Sequence, residues 1–114
     1  MQYALLIYDD PAEWANVPEA DYPKLYEEYG AVSQMPGTKG GAQLQPVATA
    51  RSVRVKDGKR LVTDGPFAET KEVLGGFFLI EAGSQEEAEE IAGRIPSARM
   101  GGTVEVRPLV ERPA

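Results

Sequence analysis

A chain of 114 residues with 42% hydrophobic residues and a formal charge of −6 has room for one domain, residues 1–114, with a modest core. Its acidic balance argues against nucleic acid as a partner, and it has no run approaching the ~20 apolar residues of a membrane-spanning helix. The absence of both cysteine and histidine excludes disulfides, thiolate catalysis and sulfur-ligated metal, and leaves any acid-base chemistry to carboxylate, lysine or tyrosine.

The amino terminus enters a strand pattern with no basic leader, so a cytoplasmic location is expected. Tyr3 to Tyr8 reads as a strand with Tyr3, Leu5 and Ile7 on one face and Ala4, Leu6 and Tyr8 on the other, apolar on both. Asp9-Asp10-Pro11 ends it, and an irregular loop follows through Trp14 to Pro18. The two aspartates supply only part of a divalent-metal site, since three or more convergent oxygens are needed and only Glu13 is near, so no metal is expected. Trp14 is either a lid over a pocket or a plug on the sheet edge.

From Asp21 a helix is signalled by Pro23 in its first turn and by Tyr22, Leu25, Tyr26, Tyr29 and Val32 at helical spacing. Each tyrosine hydroxyl needs a partner if buried, so this face borders either a wet cavity or solvent. Pro36 to Gly41 reads as a flexible connection without the full phosphate-loop pattern, and Ala42 to Pro46 as a brief strand. Arg51 to Lys56 and Lys59 to Thr63 flank Asp57-Gly58, the signal of a two-residue hairpin, with Val53, Val55 and Leu61 expected to form its apolar face.

Asp64-Gly65-Pro66 forces a turn, and Phe67 is expected to anchor it in the core. Asp64, Glu69, Lys71 and Glu72 follow closely, charges that become chemically useful where they are partly desolvated; the plain alternative is a capped turn with Lys71 paired to a neighbour. Gly76 to Glu81 is a second strand apolar on both faces. Ser84 and Glu87 form a capping box for a helix whose stripe is Ala88, Ile91, Ala92 and Ile95. The Glu86, Glu87, Glu89 and Glu90 cluster reads as its solvated face. Thr103 to Leu109 is the last strand, and a polar tail begins at Val110.

Strand, helix, strand, inserted hairpin, strand, helix, strand is a ferredoxin-like α+β order, βαββαβ, with an antiparallel sheet. The two strands that are apolar on both faces belong at its centre. Two helices cover one face of such a sheet, and a second copy of the chain is the simplest cover for the other. A mostly apolar pocket formed with that homodimer suits a small aromatic or cyclic ligand.

Leu61-Val62-Thr63 and the run Asp64-Gly65-Pro66-Phe67-Ala68-Glu69-Thr70-Lys71-Glu72 resemble the signature of the DGPF-domain branch of the YCII-related family. Met1 to Tyr8, Leu44-Gln45-Pro46 and Val104 to Pro108 extend the similarity nearly end to end. The resemblance implies a dimeric α/β barrel, a stand-alone bacterial protein and a functional link to an extracytoplasmic-function sigma factor; no cofactor is expected. The helix histidine of the wider family's proposed His-Asp pair has no counterpart in this chain, so that pair is not carried over.

Two functional readings follow. One is a small-molecule-binding, regulatory domain with Tyr8, Tyr26, Phe67, Glu72 and Arg54 as candidate ligand contacts. The other is a cofactor-independent isomerase, lyase or dehydrochlorinase. In it Asp64 or Glu69 moves a proton and Lys71 or a tyrosine holds an oxyanion.

Overall fold

The structure, a computed structural model, describes residues 1–112; the last two residues of the expected tail lie outside that range. Its regular elements in chain order are β1 (Gln2–Asp9), α1 (Pro11–Ala15), α2 (Tyr22–Ser33), β2 (Thr38–Gln43), β3 (Arg51–Lys56), β4 (Lys59–Asp64), β5 (Val73–Glu81), α3 (Gln85–Gly93) and β6 (Thr103–Pro108). The four main strands form one antiparallel sheet in the order β2-β5-β1-β6, and β3 pairs only with β4. This is the ferredoxin-like order, and the two doubly apolar strands take the central positions.

Alternation decides which side of the sheet is buried. Tyr3, Leu5 and Ile7 of β1 and Ile80 of β5 point to one face, where they pack with Val32 of α2, Ala88, Ile91 and Ala92 of α3, and Ile95. Leu6 lies opposite Phe77, and Ala4 opposite Leu79, on the other face, where all four stay half-buried. At the end of that row the pairing shifts: Ile7 faces Gly76 but Tyr8 faces Leu74, so Gly75 is the extra residue of a β-bulge.

The helix ends follow local chemistry. Ser84 Oγ accepts from the Glu87 N–H at 3.1 Å, while the Glu87 carboxylate accepts from the Gly83 N–H at 3.0 Å, closing the expected cap one residue early. Asp10 caps α1 through its side chain, which accepts from the Ala12 N–H at 3.0 Å. That short helix occupies the stretch expected to be irregular.

Three further expectations are corrected. Thr38 to Gly41 of the expected connection joins Ala42 and Gln43 in β2, and Leu44 to Pro46 of the expected strand lie outside it, because edge-strand glycines let β2 lie close on β5; a Cβ on Gly41 would sit 2.5 Å from the Phe77 carbonyl oxygen. In the hairpin, Val53 lies opposite Val62 while Leu61 lies opposite Arg54, so Val62 and not Leu61 shares the valine face. Phe67 does not enter the core: it is 82% exposed, and the turn is held by the Gly65 N–H donating to the Ala50 carbonyl at 2.7 Å and the Ser52 hydroxyl donating to the Gly65 carbonyl at 2.8 Å.

Candidate functional site

The carboxyl end of β1 gathers the polar groups of the molecule's interior. Asp9 leaves the strand on the helix-covered face, where its Oδ1 accepts from the Trp14 indole N–H at 3.1 Å and from the Ser97 hydroxyl. Ser97 sits in a 3₁₀ turn, Pro96–Arg99, and is 1% exposed. Its oxygen lies 2.6 Å from the Tyr29 hydroxyl. Since the one hydroxyl proton of Ser97 is given to Asp9, Tyr29 is the donor in that bond, and the chain runs from Tyr29 through Ser97 to the carboxylate.

The second oxygen of Asp9 has no donor among the described residues. It is not sealed in either, because no buried side-chain oxygen or nitrogen among these residues lacks a partner. Gly75 makes room for it, as a Cβ there would collide with Oδ2. The result is a carboxylate with one oxygen fixed and the other open, set beside a bulge.

Burial pushes the Tyr29 phenol above its ordinary value of 10.0, and the nearby Asp9 charge adds to the rise; the hydrogen bond with Ser97 and the charge of Arg99 oppose it. Tyr29 therefore stays protonated through the physiological range and acts as a donor. Arg99 is held to α2 by an ion pair with Glu28 at 2.6 Å, which ties the 3₁₀ turn to the tyrosine helix.

Rings lead outward from this cluster. Trp14 stacks on Tyr29 with centroids 6.4 Å apart and lies 6.5 Å from Tyr22, which lies 6.2 Å from Tyr26. Tyr26 is exposed and Tyr22 half-buried, so the row of rings runs from solvent to Asp9. Helical spacing places Tyr22, Tyr26 and Tyr29 on one side of α2.

Of the residues singled out from the sequence, some meet here and some do not. Lys71 reaches the buried Asp10 at 3.7 Å, and Glu72 accepts from the Thr103 hydroxyl at 2.7 Å. Tyr8 lies at the same end, opposite Leu74 and Thr103 on the uncovered face. Asp64 pairs instead with Arg51 at 3.3 Å at the foot of the hairpin, and Arg54, Glu69 and Phe67 are exposed. Asp64, Glu69 and Lys71 are thus not gathered around one point within the chain. Asp9, Trp14 and Tyr29 had a legible signal in the paired aspartates and the tyrosine stripe; Ser97 had none.

An open groove of about 560 Å³ runs beside this cluster between Glu13, Asp21, Lys24, Glu28 and Arg99. It contains none of Asp9, Tyr29 or Ser97, and its mixed charges converge on no single point, so the polar cluster is the better candidate site. Among the described residues no three Asp or Glu side chains are placed to hold a metal ion.

Comparison with known proteins adds a family. A model of the YCII-related domain matches residues 1–112. An uncharacterized protein of Rhizobium meliloti (strain 1021) is 36% identical over 114 residues, covering 96% of this chain and 92% of that protein.

Proposed function

This chain belongs to the YCII-related domain family, and from that premise and the half-open carboxylate of Asp9 we propose that it is a small-molecule-binding domain working as a homodimer. The finer placement in the DGPF branch rests on the run from Leu61 to Glu72. The observation that carries the binding reading is Asp9 itself: Oδ1 is held by Trp14 and Ser97, and Oδ2 is left to accept a hydrogen bond from outside. An aromatic approach through Tyr26, Tyr22 and Trp14 suits a small cyclic compound, and the open acceptor selects one bearing a hydroxyl or amine donor.

The dimer supplies the cover that one chain lacks. Ala4, Leu6, Phe77 and Leu79 line a sheet face with no helix on it, and the radius of gyration of 16.1 Å exceeds the about 13 Å expected for a compact chain of this length. A flat molecule with extents of 46 × 45 × 19 Å buries that face by meeting a second copy.

Proton transfer is the second reading, favoured by the Tyr29 to Ser97 to Asp9 relay, which ends on Oδ1 of the carboxylate whose other oxygen, Oδ2, a bound carbonyl compound would reach. The version with Asp64 as the acid-base group, and Lys71 or a tyrosine as oxyanion partner, requires Asp64 to be released from Arg51.

A thermal-shift screen of phenols, cyclic alcohols and cyclic amines tests the proposal. A ligand at about 100 times its Kd raises the midpoint by on the order of 10 °C. Asp9→Asn should lose most of that shift while keeping the native circular dichroism. Equal shifts in wild type and variant would remove Asp9 from the site. A hit recovered unchanged by NMR supports binding; one consumed supports the second reading.

A further inference from the structure

The β3–β4 hairpin is the part of the molecule that the ligand site does not use. Every residue of Arg51–Lys56 and Lys59–Asp64 is exposed except Ser52, so the hairpin gains nothing from the core of its own chain. Yet it is strongly two-sided. Val53, Val62 and Val55 share one face with Arg60 and the Arg51–Asp64 ion pair; Arg54, Leu61, Lys56 and Lys59 share the other with Ser52 and Thr63. Val53 is 57% exposed, Val55 72% and Val62 41%.

Its charge is also set against the rest. Residues 51–64 hold five of the twelve Lys and Arg but only two of the eighteen Asp and Glu, a net +3 against −9 for the remainder of the chain. A two-stranded ribbon is marginal on its own in water, and valines on it add stability only when something lies over them.

We propose that this hairpin is an arm that docks, valine face down, on the body of a second copy of the chain. Three observations select that occupant. The same molecule carries both an exposed valine ribbon and a half-buried apolar sheet face on the side away from the helices. The ribbon and the body bear opposite net charge, which steers them together. A two-fold arrangement lets each arm lie on the other's body, so all four uncovered surfaces are buried by one self-complementary contact. Phe67, just beyond the arm's foot, extends the apolar surface.

The arm also reaches the ligand site through the chain. Residues 65–72 run from its foot to Lys71 on Asp10 and Glu72 on Thr103, so a docked arm steadies the rim of the Asp9 cluster.

This inference rests on the homodimer reading, and one pair of measurements separates the two. Sedimentation equilibrium of wild type and of V53T/V62T gives the dimer Kd; threonine keeps the β-branched strand preference at this opposed, exposed pair, so the variant keeps its monomer fold, checked by circular dichroism. The arm predicts a Kd raised at least about tenfold. An unchanged Kd overturns the arm and leaves the homodimer reading standing, whereas a wild type that stays monomeric at every concentration overturns both. Because the chain has no cysteine, V55C can carry a single benzophenone label. Crosslinks to a second copy's body support the arm, and adducts confined to the labelled chain itself refute it.

Discussion

Tyr29 and Ser97 stand 68 residues apart in the chain and 2.6 Å apart in the fold, joined hydroxyl to hydroxyl. That bond brings the tyrosine helix to the 3₁₀ turn that closes the second half of the domain, and the turn in turn holds Asp9. Removing either hydroxyl therefore has unequal consequences. Ser97→Ala leaves Tyr29 without its acceptor and Asp9 Oδ1 with Trp14 alone, and is expected to cost about 1–3 kcal/mol. Tyr29→Phe takes away only the outer donor, and about 0.5–1.5 kcal/mol is expected. Urea unfolding of the two variants, compared through their midpoints at equal m, checks the order.

The same tyrosine makes stability depend on alkaline pH. Its pKa is raised in the folded chain above the ordinary 10.0, so the folded state holds its proton more tightly than the unfolded state does. The contribution is fully present below the unfolded value and is lost as pH rises through the raised folded value. The difference in unfolding free energy between wild type and Tyr29→Phe should therefore be constant at neutral pH and shrink above about pH 10. Chemical unfolding at a series of pH values, with tyrosinate absorbance followed in parallel, reads both effects.

Asp10 and Lys71 form an ion pair whose two ends count very differently. Asp10 is 3% exposed and caps α1, while Lys71 is 82% exposed on its side-chain surface and stands 3.7 Å away. Asp10→Ala should cost about 0.5–2 kcal/mol through the lost cap. Lys71→Ala should change stability by less than about 0.5 kcal/mol, since an exposed partner is screened by water. A thermal melt in which Lys71→Ala matched Asp10→Ala would mean that the pair, not the cap, holds this corner.

What the sequence made legible was whatever repeats at a fixed period. Strands apolar on both faces, Tyr3 to Tyr8 and Gly76 to Glu81, could only be central, and the structure has them there. The Asp57-Gly58 turn was equally plain, and both residues take positive φ, 51° and 74°. The site was legible only in part, because its groups come from ends of elements and not from a pattern. Ser97 matters through a contact 88 residues away with Asp9, and nothing around Ile95-Pro96-Ser97 signals it. Phe67 departs from the expected burial because backbone and Ser52 hydrogen bonds at Gly65 hold the turn without the ring, which no pattern in the sequence signals.

Two glycines offer the sharpest check on the geometry around Asp9, since they differ in what an added methyl would meet. Gly30 lies inside α2 with no atom within 4 Å of where a Cβ would stand, so Gly30→Ala relieves only backbone entropy and should stabilise by about 0.5–1 kcal/mol. Gly75 lies in the bulge, and its Cβ would collide with Asp9 Oδ2. Gly75→Ala must push the carboxylate off Trp14 and Ser97 or open the bulge, at about 1–3 kcal/mol. It should also weaken ligand binding, because the displaced oxygen is the acceptor left open to solvent. Trp14 is the chain's one tryptophan, and its N–H bonds the same carboxylate, so its fluorescence reports the displacement directly. An alanine at position 75 that leaves stability, emission and ligand binding all at wild-type values would show that Asp9 is not held where this arrangement has it.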